Sequence, residues 1–247
     1  MLNGIRSELL KLRTGTTFLA FILAGVVFVV VAGWGTLTTA GDAASEGTLD
    51  AGWATTEVVR GWFAMSLVIA MFGAYFVARD ISQGTAARSV VMGGGRRRYV
   101  VSKLIAGAVI GIIGAAIGAA LSLPSAWLLL MTEGLTPTFS NTTWLVLLGC
   151  SAVNAAAGIW GVCLGLLVRN TIASLVAVFG LCLVVEPAVQ AIAPQVGRFL
   201  MTNAMGSLYL DPRSGLLDVP QATFTVLAWL IGLGTAGYLV TLKKDLT

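Results

Sequence analysis

The amino-acid sequence predicts an all-α membrane protein that crosses the bilayer six times and forms a single domain over residues 1–247. Hydrophobic residues make up 57% and charged residues 11% of the chain, whereas a soluble domain has about 25% charged residues. Apolar runs of about 20 residues, the length a helix needs to cross a bilayer, recur along the sequence. The predicted spans are approximately 17–38, 58–78, 104–131, 144–168, 172–193 and 222–242.

The distribution of Lys and Arg among the loops predicts the orientation. An even number of spans places both termini on one side, and twelve of the fifteen basic residues then lie on that side. The other three, Arg60, Arg198 and Arg213, would lie on the opposite side. Because Lys and Arg resist translocation, we expect both termini to be cytoplasmic.

The first 14 residues predict an amphipathic helix at the inner membrane surface. Its basic residues, including Lys11 and Arg13, would reach the lipid headgroups, and Glu8 lies away from the apolar face. The apolar residues recur at intervals of three and four; they are Leu2, Ile5, Leu9 and Leu12.

The loop of residues 79–103 is the most basic part of the chain, with six of the fifteen Lys and Arg residues. Its middle part, 81–92, contains no Pro and a single Gly, and the run Gly93-Gly94-Gly95 follows. This pattern predicts a short helix over 81–92 that the glycines terminate. A cytoplasmic helix between two spans is accessible to a partner protein.

The third and fifth spans have special features. Glycines of the third span fall on one face and predict close packing against a neighbouring helix; they are Gly107, Gly111, Gly114 and Gly118. In the fifth span we expect Glu186 and Pro187 to break the helix, followed by short re-entrant pieces over 186–220. Glu186 is the only carboxylate inside a predicted span, which makes it a functional candidate. Alternatively, it is an outer-leaflet carboxylate that pairs with Arg198 or reaches interfacial water.

Several kinds of chemistry are missing from the sequence. There is no histidine, which removes Ser-His and Cys-His catalysis and most zinc sites. The three cysteines lie in apolar runs without CxxC spacing and are expected to be packing residues. No GxxxxGK[ST] motif for nucleotide binding occurs. We therefore expect no cofactor in this chain and no nucleic-acid partner.

Two short regions carry a resemblance to a known family. One is the N-terminal Glu8-x-x-Lys11-Leu12-Arg13, and the other combines Asp80-x-x-x-Gly84-Thr85, Gly94-x-Arg96 and Lys103-Leu104. At these spacings, between these spans, the motifs resemble those of permease subunits of type-2 ABC exporters. Asp80 stands where that family more usually has Glu, and Arg88 lies one place later than the Arg often seen after Gly-Thr.

The resemblance implies that residues 1–14 are the family's connecting helix and that loop 79–103 contains its coupling helix. The coupling helix docks into a cytoplasmic ATP-binding subunit, which binds ATP and magnesium. Two such subunits and two permease subunits, as a homodimer or with a close paralogue, would form the transporter in a bacterial plasma membrane. The implied coupling residues are Asp80, Gly84, Thr85, Arg88, Arg96 and Lys103.

The resemblance also implies that the chain is a transporter subunit and not an enzyme. We expect export of a hydrophobic or amphipathic compound, such as a drug, a peptide antibiotic or a lipid, since self-protection by such export is common among members with this loop. Glu186 would belong to the outer gate. Asn154 in the fourth span would contact the transported compound or hydrogen-bond a neighbouring helix. The basic triplet of residues 96–98 would pair with the partner subunit or with anionic membrane lipid.

Two other classes of membrane protein remain as alternatives. A polytopic membrane enzyme would need convergent carboxylates, histidine, or a nucleophile with a base, and the spans supply only Glu186. A channel or a non-catalytic accessory subunit would not need the loop at 79–103. Co-purification of an ATPase subunit would distinguish all three classes.

Overall fold

The structure is a computed structural model that describes residues 8, 10, 16–45, 51–132 and 134–244. All regular secondary structure in these residues is helical, which confirms the all-α fold class. The helices are α1 (Thr16–Ser45), α2 (Ala51–Gly61), α3 (Met65–Ser82), α4 (Thr85–Gly93), α5 (Arg96–Thr132), α6 (Asn141–Val168), α7 (Thr171–Gly180), α8 (Glu186–Ile192), α9 (Pro194–Gly197), α10 (Met201–Leu208) and α11 (Val219–Lys243).

Five of the helical segments are long and apolar enough to cross a membrane, and they coincide with five of the predicted spans. They are Ala51–Ser82, Arg96–Thr132, Asn141–Val168, Thr171–Ile192 and Val219–Lys243. The first of these joins α2 and α3 through a short 3₁₀ turn, Trp62–Ala64. The shorter apolar stretch Thr16–Val31 in α1 lies at the remaining predicted span.

Helix α6 lies at the centre of the bundle and packs against α3, α5 and α11. Its contacts with α3 and α5 bring backbone against backbone. A Cβ atom on Gly158 would clash with the carbonyl oxygen of Gly107, and one on Gly161 would clash with that of Ala70. The glycine face predicted for α5 is therefore a packing surface, and it meets a second glycine face on α6. Small residues allow this close approach, which is a common way for membrane helices to associate.

Local hydrogen bonds fix where α6 and α7 begin. The Ser140 side chain accepts a hydrogen bond from the backbone N–H of Thr143 at 3.2 Å, forming a capping box at the start of α6. Asn170 caps α7 in the same way by accepting from Ala173 N at 3.0 Å. Between the two helices Arg169 adopts a left-handed conformation, with φ of 62°, so α6 and α7 form a tight hairpin.

The short helix in the basic loop begins later than predicted. Helix α3 continues to Ser82 because Ile81 is buried in its packing, and the short helix is α4, Thr85–Gly93. Gly84 separates the two with a left-handed φ of 70°, a conformation that glycine adopts without steric cost. Gly94, with φ of 80°, ends α4. The basic triplet then lies in the first turn of α5, which starts at Arg96 and not near residue 104.

The predicted break at Glu186 and Pro187 is wrong. The chain stays helical to Ile192, with a π-helical turn, Leu181–Val185, immediately before Glu186. Pro187 has no N–H to donate, and it lies in the first turn of α8, where the widened turn before it removes the conflict. The chain breaks instead at Ala193. Helices α9 and α10 follow, and α10 packs against α6 and α11.

Candidate functional site

Three charged residues from distant parts of the sequence meet inside the protein. The Lys103 ammonium donates to Glu8 Oε2 at 2.6 Å and to Asp80 Oδ2 at 2.5 Å. The Lys103 side chain is completely buried, the Glu8 side chain is 5% exposed, and the Asp80 side chain is 15% exposed. All three residues belong to the motifs that suggested the family resemblance.

Two aromatic rings also lie close to the Lys103 ammonium. Its ammonium lies 4.2 Å from the ring centroid of Phe76 and 5.5 Å from that of Tyr99, and aromatic faces attract cations. A buried charge is costly unless it is paired, and removing one partner of a buried pair costs about 3–5 kcal/mol. Lys103 thus holds two carboxylates that would otherwise repel each other.

Asp80 extends these contacts to α4. The Thr85 hydroxyl, at the first residue of α4, lies 3.1 Å from the Asp80 carbonyl oxygen and 3.3 Å from Asp80 Oδ1. We call Glu8, Asp80, Thr85 and Lys103 the Lys103 cluster. It joins the N-terminal segment, the end of α3, the start of α4 and the first turns of α5.

Burial separates the predicted coupling residues into two groups. Lys103 lies beneath the surface, so it cannot itself contact a docked subunit, and any part it takes in coupling passes through its partners. Gly84 and Thr85 are exposed at the start of α4. A Cβ atom on Gly84 would lie in open space, so no close contact with the described residues requires glycine there. The positive φ of this residue is the reason that glycine is favoured.

Helix α4 presents an unusual exposed face. Ala86 is fully buried, which fixes α4 to the bundle, whereas Val91 is 82% and Met92 78% exposed. Arg88 is exposed on the same helix. We call Arg88, Val91 and Met92 the α4 face. It combines large apolar side chains with a cation at one end of the bundle, a composition that suits a protein or membrane contact.

Arg96, one of the residues that the family resemblance implies in coupling, contacts the end of α11. Its guanidinium donates to the carbonyl oxygens of Leu242 at 2.5 Å and Thr241 at 3.3 Å. These carbonyls belong to the last turn of α11, where a cation compensates both the free acceptors and the helix dipole. Arg96 thus connects the start of α5 to the end of α11. Lys11 and Arg13, expected in the interfacial helix, lie outside the described residues.

Asn154 is buried in the packed centre of the chain. Its Nδ2 donates to the Trp62 carbonyl oxygen at 3.4 Å, in the 3₁₀ turn between α2 and α3. This contact corresponds to the helix–helix hydrogen bond considered from the sequence.

Glu186 anchors α10 and does not pair with Arg198. Its Oε2 accepts hydrogen bonds from both the backbone N–H and the hydroxyl of Thr202, the former at 2.6 Å. The Arg198 guanidinium lies instead over the ring of Phe199, 5.0 Å from its centroid. The sequence could not reveal this partner, because Thr202 lies beyond the turn that follows α8.

A cavity of about 480 Å³ lies beside the Glu186–Thr202 contact. Its apolar walls include Phe28 from α1 and Leu183 from the π-helical turn. Two ion pairs also line it: Arg60 with Glu57, and Arg213 with Asp211. The hydrogen bond to Asp211 raises the pKa of Arg213. The sequence assigns these four residues no common role, although the three-residue spacing of Glu57 and Arg60 on α2 was a signal.

In the part of the chain that the structure describes, no group of three or more potential metal ligands occurs. Two arrangements are the candidate functional sites: the Lys103 cluster with the α4 face, and the cavity with its two ion pairs.

Comparison with known proteins identifies the family. A family model described as ABC-2 family transporter protein matches residues 4–185. This match includes the whole Lys103 cluster and the α4 face. A search of curated proteins found no significant match. Because the family match covers most of the chain and agrees with its membrane-spanning helices, the chain belongs to the ABC-2 family of transporter proteins, which are membrane subunits of ABC transporters.

Proposed function

We propose that this membrane subunit of an ABC transporter exports a hydrophobic or amphipathic compound, and that a separate ATP-binding subunit drives it through α4. The observation that carries the proposal is the combination of an exposed α4 face with the Lys103 cluster at the start of the same helix. The exposed face offers a contact, and the cluster connects that contact to the membrane-spanning helices.

The α4 face supports docking of a protein partner. Val91 and Met92 are exposed in this chain, and covering such side chains with a partner contributes about 1.5–3 kcal/mol each. Arg88 adds a cation for a carboxylate of the partner. Since the sequence holds no GxxxxGK[ST] motif, the ATP-binding site is expected in that partner, together with the magnesium that ATP requires.

The Lys103 cluster supports transmission of motion. A displacement of α4 pulls on Thr85, which is bonded to Asp80 at the end of α3. Asp80 is in turn bonded to Lys103 in α5. A push on α4 therefore reaches two spans through short polar contacts. The Thr85–Asp80 contact is exposed, whereas the Asp80–Lys103 pair is partly buried and resists separation because unpaired charges there are costly.

The cavity near Glu186 supports an amphipathic cargo. Its walls are mostly apolar, and the two ion pairs offer polar contacts at one site. The π-helical turn forms part of the wall, and π-helical turns often occur at functional sites. We propose that cargo passes this cavity on its way out. Two copies of the chain and two ATP-binding subunits would complete the transporter, with both termini in the cytoplasm of a bacterial cell.

Affinity purification of the full chain from its native membrane tests the proposal. We expect an ABC ATPase to co-purify, and Val91→Asp combined with Met92→Asp to reduce its yield at least tenfold. The matched control is Ile192→Asp, which alters a residue that is 85% exposed at the other end of the molecule and should leave the ATPase yield unchanged. Absence of any ATPase, or equal loss in the control, would refute docking through α4.

A further inference from the structure

A second groove lies on the side of the bundle between α5 and α11. Its volume is about 580 Å³. Helix α5 contributes one wall from Arg97 to Ala108, α11 contributes the other from Leu230 to Tyr238, and Ile159 of α6 forms part of the floor. It is separate from the α4 face and from the cavity near Glu186, with which it shares no lining residue.

The length of the groove corresponds to one leaflet of a bilayer. Arg97 and Ala108 are eleven residues apart in α5, which is about 16 Å at the rise of an α-helix. The hydrocarbon core of a bilayer is about 30 Å thick, so the groove covers about half of it. The groove is therefore long enough to hold one acyl chain.

The polar lining of the groove is basic or neutral. Its polar residues are Arg97, Thr235 and Tyr238, and no carboxylate lines it. Arg97 is exposed and makes no ion pair or hydrogen bond with the described residues. Lys243 and Lys244, also exposed, follow at the same end of α11. The groove thus has an exposed cation at one end, unpaired among the described residues, and apolar walls over the rest of its length.

The groove is also held in a fixed shape at its basic end. Arg96, the neighbour of Arg97, donates to carbonyl oxygens in the last turn of α11. This contact sets the separation of α5 and α11 where a headgroup would enter. At the deeper end the small side chain of Ala108 leaves space.

We propose that this groove binds one anionic phospholipid, with the phosphate at Arg97, the Tyr238 hydroxyl donating to the headgroup, and an acyl chain lying between α5 and α11. Basic pockets between transmembrane helices are known to recognise anionic headgroups. The proposal requires only that the chain spans a membrane, and it is independent of cargo and of the ATP-binding subunit.

Native mass spectrometry of the purified full chain tests the proposal, with phosphatidylglycerol and phosphatidylcholine of identical acyl chains as probes. We expect tighter binding of phosphatidylglycerol. Arg97→Gln should lower that binding about fivefold, whereas Arg98→Gln, which removes an adjacent exposed cation outside the groove, should leave it unchanged. Ala108→Leu should lower the binding of both lipids by filling the deep end. Ala116→Leu, two turns further along α5 and outside the groove, is its control.

Three results would overturn the proposal. Equal binding of the two lipids would remove the role of the basic end. Equal loss in Arg97→Gln and Arg98→Gln would indicate diffuse attraction to a basic surface. Unchanged lipid binding in Ala108→Leu, together with loss of a dimer, would show that a second copy of the chain covers the groove. Thermal unfolding of each variant establishes that it is folded, and the two arginine variants alone decide the case if Ala108→Leu fails to fold.

Discussion

The ammonium of Lys103 lies 2.6 Å from the carboxylate of Glu8, although 95 residues separate them in the sequence. The N-terminal segment is thereby attached to the start of α5 at a point where Asp80 also binds. A motion of any one of these segments changes the electrostatic energy of the other two. This coupling leads to the first two predictions.

Lys103→Met should strongly destabilise the protein. It leaves Glu8 and Asp80 as neighbouring buried carboxylates, and loss of one partner from a buried ion pair costs about 3–5 kcal/mol. Thermal unfolding in detergent measures the effect. The triple variant Lys103→Met, Glu8→Gln, Asp80→Asn should recover most of the stability, since no buried charge remains. The control Lys243→Met, at an exposed position of α11, should leave the unfolding temperature unchanged. An unchanged unfolding temperature in Lys103→Met would contradict the buried cluster.

Thr85→Val should uncouple ATP hydrolysis from transport. The substitution keeps the shape of the side chain but removes the hydrogen bonds to Asp80, worth about 0.5–1.5 kcal/mol. We expect the ATP-binding subunit to remain attached, while transport per ATP hydrolysed falls severalfold in reconstituted vesicles. Ser89→Ala is the control, because the Ser89 hydroxyl bonds only to the Thr85 carbonyl oxygen within α4. Equal effects of both changes would exclude a specific role for the Thr85–Asp80 contact.

Gly158→Ala should disrupt the centre of the bundle. Its new Cβ would clash with the Gly107 carbonyl oxygen and approach the backbone of Gly111, and overpacking of this kind typically costs about 1–3 kcal/mol. The matched variant Gly232→Ala places a methyl group where no atom lies within 4 Å, so it should be neutral or slightly stabilising. The unfolding temperature of Gly158→Ala should therefore fall, whereas that of Gly232→Ala should stay unchanged or rise slightly.

Glu186→Leu should loosen the outer wall of the cavity. It removes the acceptor for both the N–H and the hydroxyl of Thr202, leaving a partly buried N–H unpaired at a cost of about 1–3 kcal/mol. We expect faster proteolysis within residues 193–200 and reduced transport, with α4 and its partner unaffected. Glu186→Gln retains an acceptor oxygen, so its rate of proteolysis should lie between those of the wild type and Glu186→Leu. Identical proteolysis in all three proteins would show that the contact does not hold α10.

Reactive cysteines test the orientation. In a background without Cys150, Cys163 and Cys182, a cysteine at exposed Ser214 should react with an impermeant maleimide added to intact cells. A cysteine at exposed Gln83 should react only after lysis, because the basic end of the bundle is expected to be cytoplasmic. Labelling of Gln83→Cys in intact cells would reverse the orientation and place α4 out of reach of any ATP-binding subunit.

The spans were predictable because their signal is local. A run of about 20 apolar residues contains all the information needed for a membrane helix, and the five long apolar helices lie where the sequence placed them. The predicted ends of the helices at the membrane surface were less accurate. The polar start of α5 at Arg96 carries no apolar signal, and its helical state depends partly on the contact between Arg96 and α11.

The residues of the site were predictable, but their positions were not. The motifs singled out Glu8 in the N-terminal region and Asp80 with Lys103 in the basic loop, yet spacing cannot show that these residues meet, or whether a lysine lies on a surface or beneath it. Burial of Lys103 arises when three segments converge, which is a property of the tertiary structure. The partner of Glu186 was missed for the same reason, since Thr202 is brought close by the turn at Ala193.

The contact of α6 with α3 and α5 has a consequence for how the molecule moves. Because Gly158 and Gly161 place the backbone of α6 directly against the backbones of α5 and α3, no side chain separates the helices at these two points, and a small rotation or slide there would produce immediate clashes. Helices α3, α5 and α6 should therefore keep their mutual distances throughout the transport cycle and move as one rigid unit. Distance measurements between labels on α5 and α6 should give one narrow distribution in every nucleotide state, and any mobility should appear in the helices outside this trio.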